Sequence, residues 1–191
     1  HLSIRRQRQM CIRDRSYSIT GLENIPKDKC VIFAKHSSVY EIFILLKYFS
    51  PSSWVGKYEL MYVPIFRGVF KKFKLIPVKR GRGREEVERV REMGMERLSA
   101  GNWIIIFPEG TRVEHNKTKK YGLSGALLAK ETSSRVLPIS HNAGKYWKRR
   151  GLVKYPGKIE FFIGPPMSTD TLSVEEINEL SKKWIESRVI G

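Results

Sequence analysis

Two short stretches carry the residues that could do chemistry. In FAKHSSVYEIF, residues 33–43, His36 follows an apolar run and Glu41 opens the next one. In WIIIFPEGTR, residues 103–112, an apolar run stops at Pro108 and is followed by Glu109, Gly110, Thr111 and Arg112. On one helix, a five-residue gap turns two side chains about 140° apart, at ~100° per residue. His36 and Glu41 can therefore meet only if His36 lies in the turn before a helix and Glu41 in its first turn. Ser37 and Ser38 are good caps for that break.

Two readings of the first stretch stand side by side. Ser38-x-x-Glu41 is a capping box, which alone accounts for the carboxylate and leaves His36 an ordinary turn histidine. Alternatively, Glu41 holds the ring and stabilises the imidazolium while His36 takes a proton from a hydroxyl. That is the base and orienter of a triad with no protein nucleophile nearby, so the hydroxyl belongs to the substrate. The second stretch also has two readings. Gly110 lets backbone N–H groups approach an anion closely, and the Arg112 guanidinium forks onto phosphate oxygens. The plainer reading is a Pro-Glu-Gly turn with a surface arginine.

These residues need elements to position them, and the apolar runs alternate in type. CVIFA (30–34), SWVGK (53–57), KLIPVK (74–79), WIIIF (103–107), RVLPIS (135–140) and KIEFFIG (158–164) read as strands. EIFILLKYF (41–49), REEVERVREMGMERLSAG (84–101), GLSGALLAKE (122–131) and SVEEINELSKKWIESRV (173–189) read as helical segments. Strands alternating with helices predict a layered α/β domain with a largely parallel sheet, whose function sits where strands hand over to loops and helix starts.

Composition narrows the partners. The chain has 36 Lys+Arg against 19 Asp+Glu, a net charge of +17 over 191 residues, so its surface seeks nucleic acid, an anionic membrane or phosphorylated substrates. Residues 1–15 lack periodicity, and RQRQMCIRDR resembles a translated sequencing adapter. They are expected to be a non-native or disordered segment before a single domain spanning 16–191. Removing their five Arg and one Asp takes four from the net +17 and leaves +13. Two cysteines make no disulfide framework, and Cys30 reads as a buried free thiol, which suits a reducing compartment. No stretch reaches the ~18 apolar residues of a membrane span. No cluster has metal-ligand spacing, and His115 and His141 read as surface or strand-end residues.

The ordered set His36-x4-Glu41, then FPEGTR, resembles the glycerophospholipid acyltransferases, in particular the bacterial 1-acyl-sn-glycerol-3-phosphate acyltransferases. Two further blocks match: GKYELMYVPIFRGVFKKFKLIPVKR (56–80), with Lys57 and the terminal Arg80, and VLPISH (136–141), with Pro138. The resemblance implies a layered αβα fold with a largely parallel or mixed central sheet. It implies transfer of an acyl chain from acyl-CoA or acyl carrier protein to the sn-2 hydroxyl of lysophosphatidic acid, giving phosphatidic acid in phospholipid biosynthesis. His36 then matches the base and Glu41 the acid, which is Asp in most of the family. Arg80 and Arg112 match phosphate-holding positions, with Lys57, Glu109, Gly110 and Thr111 in the same acceptor-binding blocks, and Pro138 is linked to the acyl donor. No metal or cofactor is implied. The expected location is peripheral, on the cytoplasmic face of the inner membrane, with an anionic lipid surface as partner.

One departure from the family's pattern falls in the second block. Pro64-Ile65-Phe66-Arg67 stands where the family has Pro-Phe-Phe-Gly, with Gly68 one position later. MYVPIFRGVFKKFK (61–74) mixes aromatics with Arg and Lys, suiting either a headgroup boundary or a buried helix with a basic outer face. Three rivals remain: the same chemistry on another lysolipid, a catalytically dead homologue, and a basic nucleic-acid-binding module. The dispersed charge and the absence of a reading motif count against the last.

Overall fold

The computed structural model describes residues 16–62, 73–79, 83–148 and 153–189. The expected N-terminal segment 1–15, Arg80, the 64–68 departure and most of the 61–74 stretch lie outside these residues. Among the described residues the strands are Tyr17–Thr20 (β1), Val31–Ala34 (β2), Ser52–Lys57 (β3), Ile76–Val78 (β4), Trp103–Ile106 (β5), Val136–His141 (β6) and Ile159–Ile163 (β7). The α-helices are Tyr40–Tyr48 (α1), Arg84–Ser99 (α2), Ser124–Glu131 (α3), Ala143–Tyr146 (α4) and Val174–Ser187 (α5).

The strands form one sheet in the order β1-β7-β6-β2-β5-β3-β4. From β6 to β4 every neighbouring pair is parallel, whereas β7 runs antiparallel to β6 and parallel to β1. Parallel neighbours need a crossover, usually a helix, and α1, α2 and α3 supply them after β2, β4 and β5. Between β6 and β7 the only described helix is the four-residue α4, and there the direction reverses. The central strands β2, β5 and β6 are buried at every position. This is why their sequences read as unbroken apolar runs rather than alternating ones.

Helices cover both faces. On one, Ile44 and Leu45 of α1, with Phe49 just after it, pack against Ile32, Ala34, Leu137, Ile139 and Phe161. On the other, Val90 of α2, Ala126 and Leu128 of α3, and Ile177 and Ile185 of α5 pack against Val31, Phe33, Ile104 and Ile106. Each of the larger ones, the Val, Leu, Ile and Phe side chains, contributes roughly 1.5–3 kcal/mol when fully buried. At Gly94, α2 comes so close to α3 that an added Cβ would lie 2.4 Å from Leu128 Cδ2.

This layered αβα arrangement is the one expected. The edge strand β1 is an addition to it. Its four residues, YSIT, are too short and too exposed for a periodic signal. The core also takes in Cys30, whose thiol is pushed up to about 12 by burial.

Candidate active site

The parallel register brings the two chemical stretches together. Phe33 of β2 lies beside Ile106 of β5 and beside Pro138 of β6. The residues leaving these three adjacent strands, Lys35–His36, Phe107–Gly110 and the strand-end His141, therefore meet at one end of the sheet. Period-2 alternation along β2 then sends Lys35 to the side of Phe33 and His36 to the side of Ala34.

His36 lies in the turn before α1, and Glu41 in the first turn of that helix. His36 Nδ1 is 2.8 Å from Glu41 Oε1. The same oxygen accepts the Ser38 backbone N–H at 3.1 Å, while Ser38 Oγ accepts from Tyr40 N–H at 3.2 Å. Only the carboxylate half of the expected capping box is present, because Ser38 Oγ serves Tyr40 N–H rather than Glu41 N–H and the helix N-cap is Val39; the one oxygen that accepts the Ser38 N–H also holds the ring. Glu41 is fully buried. Burial works to raise its pKa, but the hydrogen bond with His36, the two neighbouring imidazoles and a backbone hydrogen bond hold it below the usual carboxylate range. An ionised Glu41 can only accept, so the His36 Nδ1–H donates. The lone pair then sits on Nε2, the nitrogen available to a substrate. The ring stacks on Phe107, with centroids 3.9 Å apart and planes 19° apart. The His36 side chain is 14% exposed, enough for an incoming hydroxyl to reach its edge.

His141 lies beneath this pair and is wholly buried at the end of β6. It was expected as a surface or strand-end residue, and only the second half of that description applies. Its Nε2–H donates to the Lys35 carbonyl at 2.9 Å and its Nδ1 accepts from Ala143 N–H at 3.2 Å. With one nitrogen donating and the other accepting, the ring is neutral, and burial pushes its pKa down. Glu41 Oε2, at 3.9 Å from His141 Nε2, is buried without a hydrogen bond of its own. The carboxylate therefore concentrates its hydrogen bonding on the oxygen facing His36.

The backbone of His36 is clamped from the second stretch. Its N–H donates to Glu109 Oε2 at 3.2 Å, and its carbonyl accepts from Val113 N–H at 2.7 Å. Glu109 is buried at 6% exposure. Its other oxygen accepts from Lys35 Nζ at 2.8 Å. Burial raises the Glu109 pKa, against the opposing pull of Lys35. Phe107–Gly110 form a tight turn, closed by Gly110 N–H donating to the Phe107 carbonyl at 2.9 Å. Gly110 has φ 65° and is exposed, with nothing within 4 Å of a would-be Cβ. Thr111 and Arg112 follow, both half-buried.

The other expected site residues lie further out or deeper. Lys57 ends β3 and pairs with Glu59 at 3.4 Å on the surface. Pro138 is buried within β6, where its carbonyl accepts from Gly164 N–H at 2.9 Å. Lys35, Phe107 and His141 are the residues of the site that motif reasoning does not pick out. Lys35 had a legible signal, a charge at an inward-alternating position that continues an apolar strand. His141 had none, because its cross-strand neighbours Glu41 and Lys35 are 100 and 106 residues away and come near only once β2 and β6 pair.

The acyltransferase family model matches residues 16–142. A 1-acyl-sn-glycerol-3-phosphate acyltransferase from Pseudomonas aeruginosa is 40% identical over 172 residues, covering 88% of this chain and 67% of the relative. An N-acylphosphatidylethanolamine synthase from Arabidopsis thaliana is 29% identical over 133 residues, 64% of this chain and 46% of the relative. This chain thus spans two thirds of the bacterial relative and under half of the plant one. The crystal structure of the 1-acyl-sn-glycerophosphate (LPA) acyltransferase PlsC from Thermotoga maritima has the same fold, with a TM-score of 0.78 at 23% identity, over 92% of this chain and 71% of that one. The family match runs from the first described strand through the His36–Glu41 pair and the FPEGTR turn to the end of β6, and on that span the chain belongs to the acyltransferase family.

Proposed function

We propose that this chain is a 1-acylglycerol-3-phosphate O-acyltransferase. It moves a fatty acyl group from the thioester of acyl-CoA or acyl carrier protein to the sn-2 hydroxyl of 1-acyl-glycerol-3-phosphate, and the product is phosphatidic acid. The observation that carries the chemistry is the 2.8 Å contact between His36 Nδ1 and Glu41 Oε1. The 40% identity to the Pseudomonas enzyme supports the choice of acceptor.

In this reading, His36 Nε2 takes the proton of the acceptor hydroxyl as its oxygen attacks the thioester carbonyl carbon. The imidazolium that forms is stabilised by ionised Glu41. The tetrahedral intermediate collapses with cleavage of the C–S bond, and the departing thiolate receives the proton from His36. One C–O bond forms, one C–S bond breaks, and the proton passes from alcohol to thiol. The thioester is already activated, so the step needs no cofactor. Arg112 and Arg80 hold the acceptor phosphate by forked hydrogen bonds. Lys57, Gly110 and Thr111 contribute to the same acceptor region, and Glu109 shapes it from below. Pro138 belongs to the strand on the donor side.

Both lipids of the reaction reside in a bilayer. Among the described residues no helix is long and apolar enough to cross one. In this reading the described domain meets its substrates at an anionic interface, on the cytoplasmic face of the inner membrane, with its net charge of +17 as the attraction. The test is release of free thiol from acyl-CoA with and without lysophosphatidic acid, with the lipid product identified by mass spectrometry. Acceptor-dependent thiol release with phosphatidic acid formed supports the reading. Acylation of another lysolipid or of an amine headgroup in its place would move the chain to the second reading, which the likeness to the plant synthase favours.

A further inference from the structure

Lys35 is a fully buried ammonium at the end of a buried apolar strand. All three of its protons have acceptors. Its Nζ lies 2.8 Å from Glu109 Oε1, 2.7 Å from the Lys117 carbonyl and 2.9 Å from both oxygens of Glu186 on α5. Glu186 in turn accepts from Tyr121 Oη at 3.1 Å and Thr118 Oγ1 at 3.0 Å. Desolvating a buried ion pair costs several kcal/mol per ion, and replacing the whole pair by apolar side chains of similar size is often neutral for stability. Stability alone therefore gives weak grounds for a lysine here.

The oxygen of Glu109 that Lys35 does not use accepts the His36 backbone N–H. We infer that Lys35 is a positioning residue for the acyl transfer: it fixes Glu109 as the acceptor for His36 N–H and so sets the pose of the His36 ring against Phe107 and the substrate hydroxyl. This rests on His36 acting as the base. Lys35 lies on the sheet face opposite the His36 ring, so it touches neither lipid nor donor. Its effect should appear in turnover rather than in substrate binding, because an error near 1 Å in the reacting geometry can cost about 10²-fold in rate.

The hydrogen-bond pattern supplies a rescue test. In Glu109→Gln, one amide must face two donors, Lys35 Nζ and His36 N–H, with a single oxygen. Its NH₂ group is then directed at whichever donor the oxygen does not serve. In the paired variant K35M/E109Q, the competing ammonium is gone. The amide oxygen can then serve His36 N–H, while the NH₂ donates to Glu186 across the space the Lys35 ammonium occupied. Methionine matches the lysine stem in length and suits the apolar strand.

The experiment compares wild type, Glu109→Gln and K35M/E109Q, each checked for folding by circular dichroism. It measures steady-state kinetics in both substrates and the proton NMR resonance of the His36 Nδ1–H. The expected result is a fall in kcat of about tenfold to 10²-fold for Glu109→Gln, with KM for the acyl donor within twofold. The paired variant should recover at least fivefold over Glu109→Gln, and the His36 resonance should move in the single variant and return in the pair. Two results would overturn the inference: a paired variant no faster than the single one, or a His36 resonance unchanged across all three proteins. The NMR arm needs no activity, so failure here is distinguishable from failure of His36 as the base, which His36→Ala reports separately.

Discussion

His36 Nδ1 and Glu41 Oε1 stand 2.8 Å apart across the start of α1, and that same oxygen caps the Ser38 N–H. One atom serves the helix and the histidine, so replacing Glu41 should separate the two roles. Glutamine can keep an oxygen in the cap but not the charge that stabilises the imidazolium. Glu41→Gln should lose about 10²-fold or more in kcat while its melting temperature moves by only a few degrees. Glu41→Asp, shorter by about 1.5 Å, should keep part of the activity. Kinetics and thermal melts on the same preparations check this. A fully active Glu41→Gln enzyme would leave the carboxylate with capping alone.

Arg112 follows the Gly110 turn, and Arg80 ends the second block. Arg112→Ala and Arg80→Ala should each raise KM for lysophosphatidic acid, by about tenfold or more for a lost charge-assisted pair, with little change for the acyl donor. Saturation kinetics in each substrate would show this. A change confined to the donor would reassign both arginines.

His141 gives folding stability a pH dependence of definite sign. Its native pKa lies below the ordinary value of 6.5, chiefly because it is buried. Between the native value and 6.5 the unfolded chain binds more protons, so acid favours unfolding. Its contribution is fully present above pH 6.5 and is lost as pH falls below it, at up to about 1.4 kcal/mol per pH unit. Glu41, with a native pKa below 4.5, adds stability that is present above pH 4.5 and lost as pH falls through its depressed native value. Urea titrations between pH 7.5 and 5.5 should show wild type weakening more than His141→Gln. Parallel profiles would mean that His141 is not held neutral by the fold.

Charge should govern the encounter with membranes. The chain carries +17 overall, and each Lys or Arg near an anionic surface contributes up to about 1 kcal/mol of attraction. Co-sedimentation with anionic vesicles should exceed that with neutral ones and fall at high salt, where the Debye length shrinks to about 3 Å at 1 M. Equal, salt-insensitive binding to both would point to hydrophobic insertion instead.

Much of this arrangement was legible in the chain because its local signals agree with its fold. The run WIIIF predicted β5 nearly to the residue, Trp103–Ile106, and the terminal amphipathic pattern predicted α5, which the structure opens with a capping box at Ser173. Helical geometry allowed the His36–Glu41 contact without requiring it, since a turn followed by a first helical turn lets a five-residue gap close. The buried support was harder to read. Glu186 reaches Lys35 across 151 residues, and no local pattern encodes a contact that depends on α5 packing along β6. The reversal of β7 was hidden for a similar reason: KIEFFIG looks the same whichever way its neighbour runs.

The most direct measurement is thiol release from acyl-CoA, in the presence of lysophosphatidic acid, by His36→Ala beside wild type. Removing the ring removes the base but leaves the Glu41–Ser38 cap and the Glu109 network intact. The account predicts a folded protein whose rate falls by about 10²–10⁴-fold. A His36→Ala protein within threefold of wild type, a barrier change of only about 0.65 kcal/mol, would contradict it.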